Sequence, residues 1–65
     1  MPKYPEVVVN TTNAKRGLIA TARNNLCRYG VSKAEQREFV QEATADGADV
    51  WEVVSSWVTI VGPRI

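Results

Sequence analysis

The sequence predicts an α+β fold: a small, mostly helical domain in the order β-α-α-α-β, with a short two-stranded sheet formed by the N- and C-terminal strands. Three observations favour it. Apolar residues recur at four-residue spacing early in the chain, two helix-start signals follow, and β-branched residues cluster near both ends. The length of 65 residues is that of one domain, so residues 1–65 are predicted to form a single domain.

The first long helix is predicted from the apolar repeat. Four residues share the spacing: Ala14, Leu18, Ala22 and Leu26. Side chains four apart lie on one face of a helix, and an apolar stripe of this kind is stable when it is buried. A polar residue from Thr11 to Asn13 would cap the first turn, and Gly30 would close the last one. The predicted helix therefore runs from about Thr11 to Gly30.

Two residues within this helix need an explanation. Gly17 would cost about 1 kcal/mol relative to alanine in a helix interior. Either another backbone or a ligand approaches it closely, or it is a tolerated glycine of the first turn, and the second reading is favoured. Cys27 is the single cysteine of a chain without histidine, and its place beside Leu26 predicts a small core or near-core residue.

Two capping boxes predict two further helices. Ser32 with Glu35 three residues later would open a helix through about Ala45. Asp49 with Glu52 would open a shorter helix that ends near Ser56. The outer face of the second helix is polar, which is typical of a solvated surface.

Short β-branched runs at the two ends predict the sheet. The run from Glu6 to Asn10 reads as one strand, and Trp57 to Val61 reads as a second strand that pairs with Val7 to Val9. The segment from Val50 to Val61 fits a helix in its first half and a strand in its second, so the boundary is placed at Trp57.

Charge is distributed unevenly along the chain. Residues 1–30 carry a net charge of +4 and residues 31–65 a net charge of −3. The asymmetry fits head-to-tail pairing of two copies, a basic face for an anionic ligand, or complementarity between neighbouring helices. The candidate binding residues for an anion or nucleic acid lie on the polar side of the first helix: Lys15, Arg16, Arg23, Asn24 and Arg28.

The two tryptophans are the candidates for a protein interface. Trp51 and Trp57 either supply much of the core area that a short chain needs or, where exposed, mark an anchor for a protein partner.

Composition argues against catalysis. The chain has no histidine, no clustered cysteines, no P-loop glycines and no Gly-x-Ser-x-Gly, so we expect no enzymatic activity, no metal site and no cofactor. No apolar run approaches the roughly 20 residues of a membrane span, and the start of the chain resembles no targeting segment. We therefore expect a cytoplasmic protein that does not enter a membrane.

Several features are similar to those of small accessory proteins encoded by bacteriophages and prophages. They are the Thr11-Thr12-Asn13-Ala14 helix start, Leu18 to Leu26, Gly30-Val31-Ser32, Phe39-Val40-Gln41-Glu42-Ala43, Gly47-Ala48-Asp49 and Trp57-Val58. The resemblance implies a protein that binds and disables a host component in the host cytoplasm, with a host protein as the first expected partner and a nucleotide or nucleic acid as the second. Because so small a monomer would be marginally stable, we also expect a homo-oligomer.

The alternative is a small DNA-binding regulator. Ala43 and Gly47 followed by a capped helix loosely match a helix-turn-helix, although the presumed recognition helix has no lysine or arginine. A ribbon-helix-helix dimer, with Glu6 to Asn10 as the paired strand, ranks lower because the third apolar segment is surplus to that fold.

Overall fold

The computed structural model describes residues 2–64 and confirms the β-α-α-α-β order. A 3₁₀ turn at Thr11–Asn13 precedes the first helix. The strands and helices are β1 at Tyr4–Asn10, α1 at Leu18–Tyr29, α2 at Lys33–Thr44, α3 at Val50–Trp57 and β2 at Val58–Val61. No helix in this part of the chain is long and apolar enough to cross a membrane.

The two terminal strands pair with each other, as predicted, and they run parallel. Val8 lies opposite Thr59 and Val9 opposite Ile60, with an irregularity between Tyr4 and Val8. The three helices form the crossover that a parallel pair requires. Trp57 ends α3 and Val58 begins β2 directly, so the predicted start of the second strand was one residue early.

The core lies between the helices and the inner face of the sheet. Its largest fully buried side chains are Phe39, Leu26, Val9, Val54 and Val58. The predicted stripe of α1 is confirmed from Leu18 onward, since Leu18, Ala22 and Leu26 are all buried. Phe39 and Trp57 meet edge to face, with ring centroids 5.6 Å apart, an arrangement that aromatic pairs prefer.

Three of the predicted helix caps are present, at Gly30, Ser32 and Asp49. Gly30 adopts the left-handed conformation and donates its backbone N–H to the carbonyl of Cys27. The Ser32 hydroxyl accepts a hydrogen bond from the backbone N–H of Glu35, and Oδ1 of Asp49 accepts one from Glu52, each at 3.3 Å. The carboxylate of Glu35 accepts from the hydroxyl of Tyr4, so it makes a contact between α2 and β1.

The predicted start of the first helix at Thr11 to Asn13 was wrong. Asn10 caps the 3₁₀ turn there by accepting from the backbone N–H of Thr12. The α-helix begins at Leu18, because Gly17 has φ 101° and ψ 157°, which no helical residue adopts. The φ of 101° overturns the interpretation of Gly17 as a tolerated first-turn glycine. Within residues 2–64 nothing beyond its chain neighbours lies within 4 Å of the place where a Cβ would stand, so no other backbone approaches it closely. Glycine is required there by the backbone.

The predicted burial of Cys27 was also wrong. Cys27 is exposed, because it lies 100° around the helix from Leu26 and so falls outside the buried stripe. On α2, Gln36 is buried whereas Ala34 is exposed. The Gln36 side chain satisfies its amide by donating from Nε2 to the carbonyl of Val31 at 2.8 Å.

Candidate anion-binding grooves

The outer face of α1 is fixed by the burial of its inner face. With Leu18, Ala22 and Leu26 in the core, the helical period places Arg23, Asn24 and Arg28 on the side away from it. These three side chains are exposed. Lys15 and Arg16 are exposed as well, in the turn that leads into the helix.

The five residues predicted as a basic binding face line one concavity, which we call the α1 groove. It has a volume of about 430 Å³. Its lining residues are Asn13, Lys15, Arg16, Ala20, Thr21, Arg23, Asn24 and Arg28. Four of them are cations and none is acidic. The structure therefore brings together residues that the sequence placed only on a common side of a helix.

A second concavity between α1 and α2, the α1–α2 groove, adjoins the first through Arg23. Its volume is about 490 Å³. It is lined by Arg23, Cys27, Lys33, Gln36, Arg37 and Val40. The sequence does not predict Lys33 and Arg37 as binding residues, because a polar outer face on a helix is typical of solvated surface. The spacing of these two cations, about one helical turn, does indicate that they share a face of α2. Which face of α2 meets α1 depends on packing.

The cations that line the two grooves differ from the other cations of the chain in whether they form ion pairs. Of the eight lysines and arginines, six line the grooves and take part in no ion pair within residues 2–64. The other two are paired: Lys3 with Glu35 at 3.4 Å and Arg64 with Asp49 at 3.6 Å. The grooves thus hold the cations that the fold leaves uncompensated.

Three of the carboxylates form side-chain contacts outside the two grooves. Oε1 of Glu42 accepts from Nε1 of Trp57 at 3.3 Å, and Oε2 of Glu6 accepts from the hydroxyl of Tyr29 at 3.1 Å. The hydrogen bond from Tyr4, with Lys3 nearby, holds the pKa of Glu35 below its ordinary value. Glu6 lies with Arg28 in a shallow depression beside β1.

The two tryptophans differ in burial. Trp57 is only 4% exposed and belongs to the core, with Nζ of Lys3 4.4 Å from the ring centroid. Trp51 is half-buried, packs against the core and has the guanidinium carbon of Arg64 5.4 Å from its ring centroid. Trp57 therefore offers no exposed anchor for a protein partner, and Trp51 offers part of one ring.

The grooves have the chemistry of anion binding. Guanidinium and ammonium groups, with amide and hydroxyl donors from Asn13, Asn24 and Thr21 beside them, suit phosphate or carboxylate oxygens. No protein-family model, curated protein or solved structure matches this chain. The resemblance to phage and prophage accessory proteins therefore stays a prediction.

Proposed function

We propose that this protein is a non-catalytic binding protein that captures an anionic partner on the α1 groove. The observation that carries the proposal is the gathering of Lys15, Arg16, Arg23 and Arg28 around one concavity whose lining, within residues 2–64, holds no acidic residue. Like charges at close range repel, so a fold that assembles them without compensation gains nothing in stability from doing so. An anionic ligand would supply the missing compensation.

A protein interface centred on the tryptophans has less support. Hot-spot residues are aromatic or arginine side chains that a partner can cover. Burial removes Trp57 from that set, and Trp51 already packs against the core and Arg64. A host protein therefore remains a candidate partner chiefly through an acidic surface of its own that would fit the grooves.

The biological setting is proposed from the resemblance alone. A small phage-type accessory protein in the host cytoplasm would act by occupying a surface of a host defence or housekeeping factor, or by sequestering an anionic ligand that such a factor needs. Enzymatic activity is not part of this proposal. A homo-oligomer remains part of it because so small a domain gains stability from association.

The DNA-binding regulators are weaker alternatives. A helix-turn-helix would read bases with α3, which carries Asp49 at its cap and Glu52 in its first turn but no cation. A ribbon-helix-helix dimer would pair β1 with its counterpart in a second chain. Here β1 pairs in parallel with β2, and the carbonyl of Val8 on the same strand accepts from Nδ2 of Asn25 at 3.0 Å.

The first test is native mass spectrometry of the protein purified from cells at low salt, which reports the subunit number and any retained ligand together. Binding is then measured by titration with inorganic pyrophosphate, ATP and a DNA duplex. We expect at least one of these to bind, and the double variant Arg16→Ala/Arg23→Ala to weaken that binding at least tenfold.

The matched control is Lys3→Ala/Arg64→Ala, which removes the same charge from cations that lie outside the grooves. It should bind almost as tightly as the wild type once circular dichroism has shown that both variants are folded. If no anion binds the wild type, or if the two double variants lose affinity equally, the proposed function is wrong.

A further inference from the structure

The two basic grooves share Arg23 and so form one surface, which we call the basic track. Six cations line it: Lys15, Arg16, Arg23, Arg28, Lys33 and Arg37. A single small anion would contact only the few cations of one groove. The extent of the track points to a ligand with many separated charges.

The length of α1 agrees with such a ligand. Its 12 residues extend over roughly 18 Å at about 1.5 Å per residue. One strand of a duplex presents a phosphate every 3.4 Å or so along its axis, so roughly five phosphates fall within that length. Lys33 and Arg37 extend the basic surface sideways onto α2.

The side chains beside the cations favour phosphate contacts over base contacts. Within residues 2–64, no aromatic residue lines either groove, whereas proteins that hold single strands stack bases on aromatic rings. Asn13, Thr21 and Asn24 are short polar groups of the kind that bind phosphate and sugar oxygens. Among the described residues, Ala20 is the one apolar residue that lines the α1 groove, and this lining lacks the apolar core typical of a protein interface.

We infer that the basic track binds the phosphate backbone of a nucleic-acid duplex without reading its sequence. The inference rests on the proposed function and deepens it by naming the class of ligand. Arg23 lies at the junction of the two grooves and contacts the duplex with cations of both helices beside it. Binding is electrostatic, so it depends steeply on salt.

The first experiment measures fluorescence anisotropy with DNA duplexes about 20 base pairs long, roughly two helical turns, in two unrelated sequences, and with an RNA duplex of the same length. The two DNA sequences should bind with affinities within about threefold of each other. Comparison of the DNA and RNA arms then shows which duplex geometry is preferred. Preference for one DNA sequence by a hundredfold or more overturns backbone-only binding.

The salt dependence of binding measures how many cations contact phosphates. If all six cations meet phosphates, the slope of log K against log salt concentration should be about −5, and fewer contacts give proportionally less. Arg16→Ala, Arg23→Ala and Arg37→Ala should each reduce the slope by about one. Lys3→Ala is the matched control and should leave the slope unchanged, because Lys3 is paired with Glu35. An unchanged slope in Arg37→Ala overturns the continuous track.

Alkylation of Cys27 tests independently whether the duplex covers the α1–α2 groove. It is the single cysteine of the chain, it is exposed, and it lines the α1–α2 groove. A saturating duplex should slow its alkylation by iodoacetamide at least fivefold, whereas saturating ATP should slow it less than twofold. Unchanged alkylation in a saturated complex overturns the track, because the duplex would then occupy the α1 groove alone.

The remaining outcomes separate this inference from the proposed function. Binding of pyrophosphate or ATP without binding of any duplex overturns the inference and leaves the anion-binding function standing. Poly-glutamate that binds as tightly as the duplexes also overturns it, in favour of an acidic protein surface. Failure of every anion to bind removes both.

Discussion

The hydroxyl of Tyr4 donates a hydrogen bond to Oε2 of Glu35, which joins the start of β1 to the first turn of α2. This bond is the main cause that lowers the pKa of Glu35, and Lys3 lowers it further. The same bond raises the pKa of Tyr4. One contact between the sheet and the second helix is therefore stronger when the carboxylate is ionised.

Acid should weaken this contact. Because the folded state lowers the pKa of Glu35 below its ordinary value of 4.5, the contribution of Glu35 to the free energy of unfolding is complete above that value and is lost as the pH falls through the folded pKa. Urea unfolding between about pH 3 and pH 7 measures the loss. Glu35→Gln should show a shallower fall in acid than the wild type.

Glu38→Gln is the control for this prediction. Glu38 lies on the same helix, is exposed and forms no side-chain hydrogen bond or ion pair within residues 2–64. Its variant should follow the wild-type profile. A Glu35→Gln profile that also follows the wild type would contradict the assigned role of Glu35.

The Gly17→Ala variant tests where α1 begins, because the sign of its change in the free energy of unfolding depends on whether Gly17 is helical. If Gly17 were inside a helix, alanine would stabilise the protein by about 1 kcal/mol. In the structure its φ of 101° and ψ of 157° are accessible essentially to glycine alone. We therefore expect a loss of about 1–3 kcal/mol in the free energy of unfolding, measured by urea denaturation.

Gly30→Ala accompanies this measurement as a reference. Gly30 ends α1 in the left-handed conformation, so alanine should cost about 1 kcal/mol whichever residue begins the helix. Stabilisation by Gly17→Ala alongside destabilisation by Gly30→Ala would show that the helix begins before Leu18.

The sequence predicted the order of the elements because most of their signals are local. Ser32, Asp49 and Gly30 act within a few residues of the helix ends that they mark. The start of α1 could not be predicted in this way. Ala14 satisfies the four-residue apolar spacing and is buried, but it lies in the turn before α1 and not in the helix. Apolar periodicity does not distinguish a buried residue of a turn from a buried residue of a helix.

The candidate site could likewise be predicted only in part from the sequence. Arg23, Asn24 and Arg28 could be grouped from the sequence because one helix places them on one face. Lys33 and Arg37 could not be added to them, because the side of α2 that meets α1 is decided by the burial of Phe39 and Ala43. The burial of Trp57 likewise depends on contacts with Phe39 and Tyr4, which are distant in sequence.

Gly62→Ala should be more damaging than Gly47→Ala. Both glycines have positive φ, but a Cβ at Gly62 would run into the hydroxyl of Thr11, which donates to the carbonyl of Pro63 at 2.7 Å. At Gly47, nothing in the described part of the chain beyond its neighbours lies within 4 Å of the corresponding place. We expect losses of about 2–4 kcal/mol for Gly62→Ala and about 1 kcal/mol for Gly47→Ala. Equal losses in urea denaturation would contradict the close packing of Thr11 against Gly62.

Removing a cation from the basic track should not destabilise the fold. Arg23 lies among other cations and has no ion pair within residues 2–64. Arg23→Gln should therefore leave the free energy of unfolding unchanged or raise it by up to about 0.5 kcal/mol at low salt. The gain should vanish near 1 M salt, where the screening length is only about 3 Å. Thermal unfolding at both ionic strengths measures it.

Lys3→Gln provides the contrast, because it loses both the ion pair with Glu35 and the position of the ammonium over the ring of Trp57. It should lower the melting temperature at low salt, whereas Arg23→Gln should not. If Arg23→Gln lowered it equally, Arg23 would have a structural role and the basic track would lose its central residue. If only Lys3→Gln lowers the melting temperature, Arg23 does not stabilise the fold. That result is expected of a residue that serves binding.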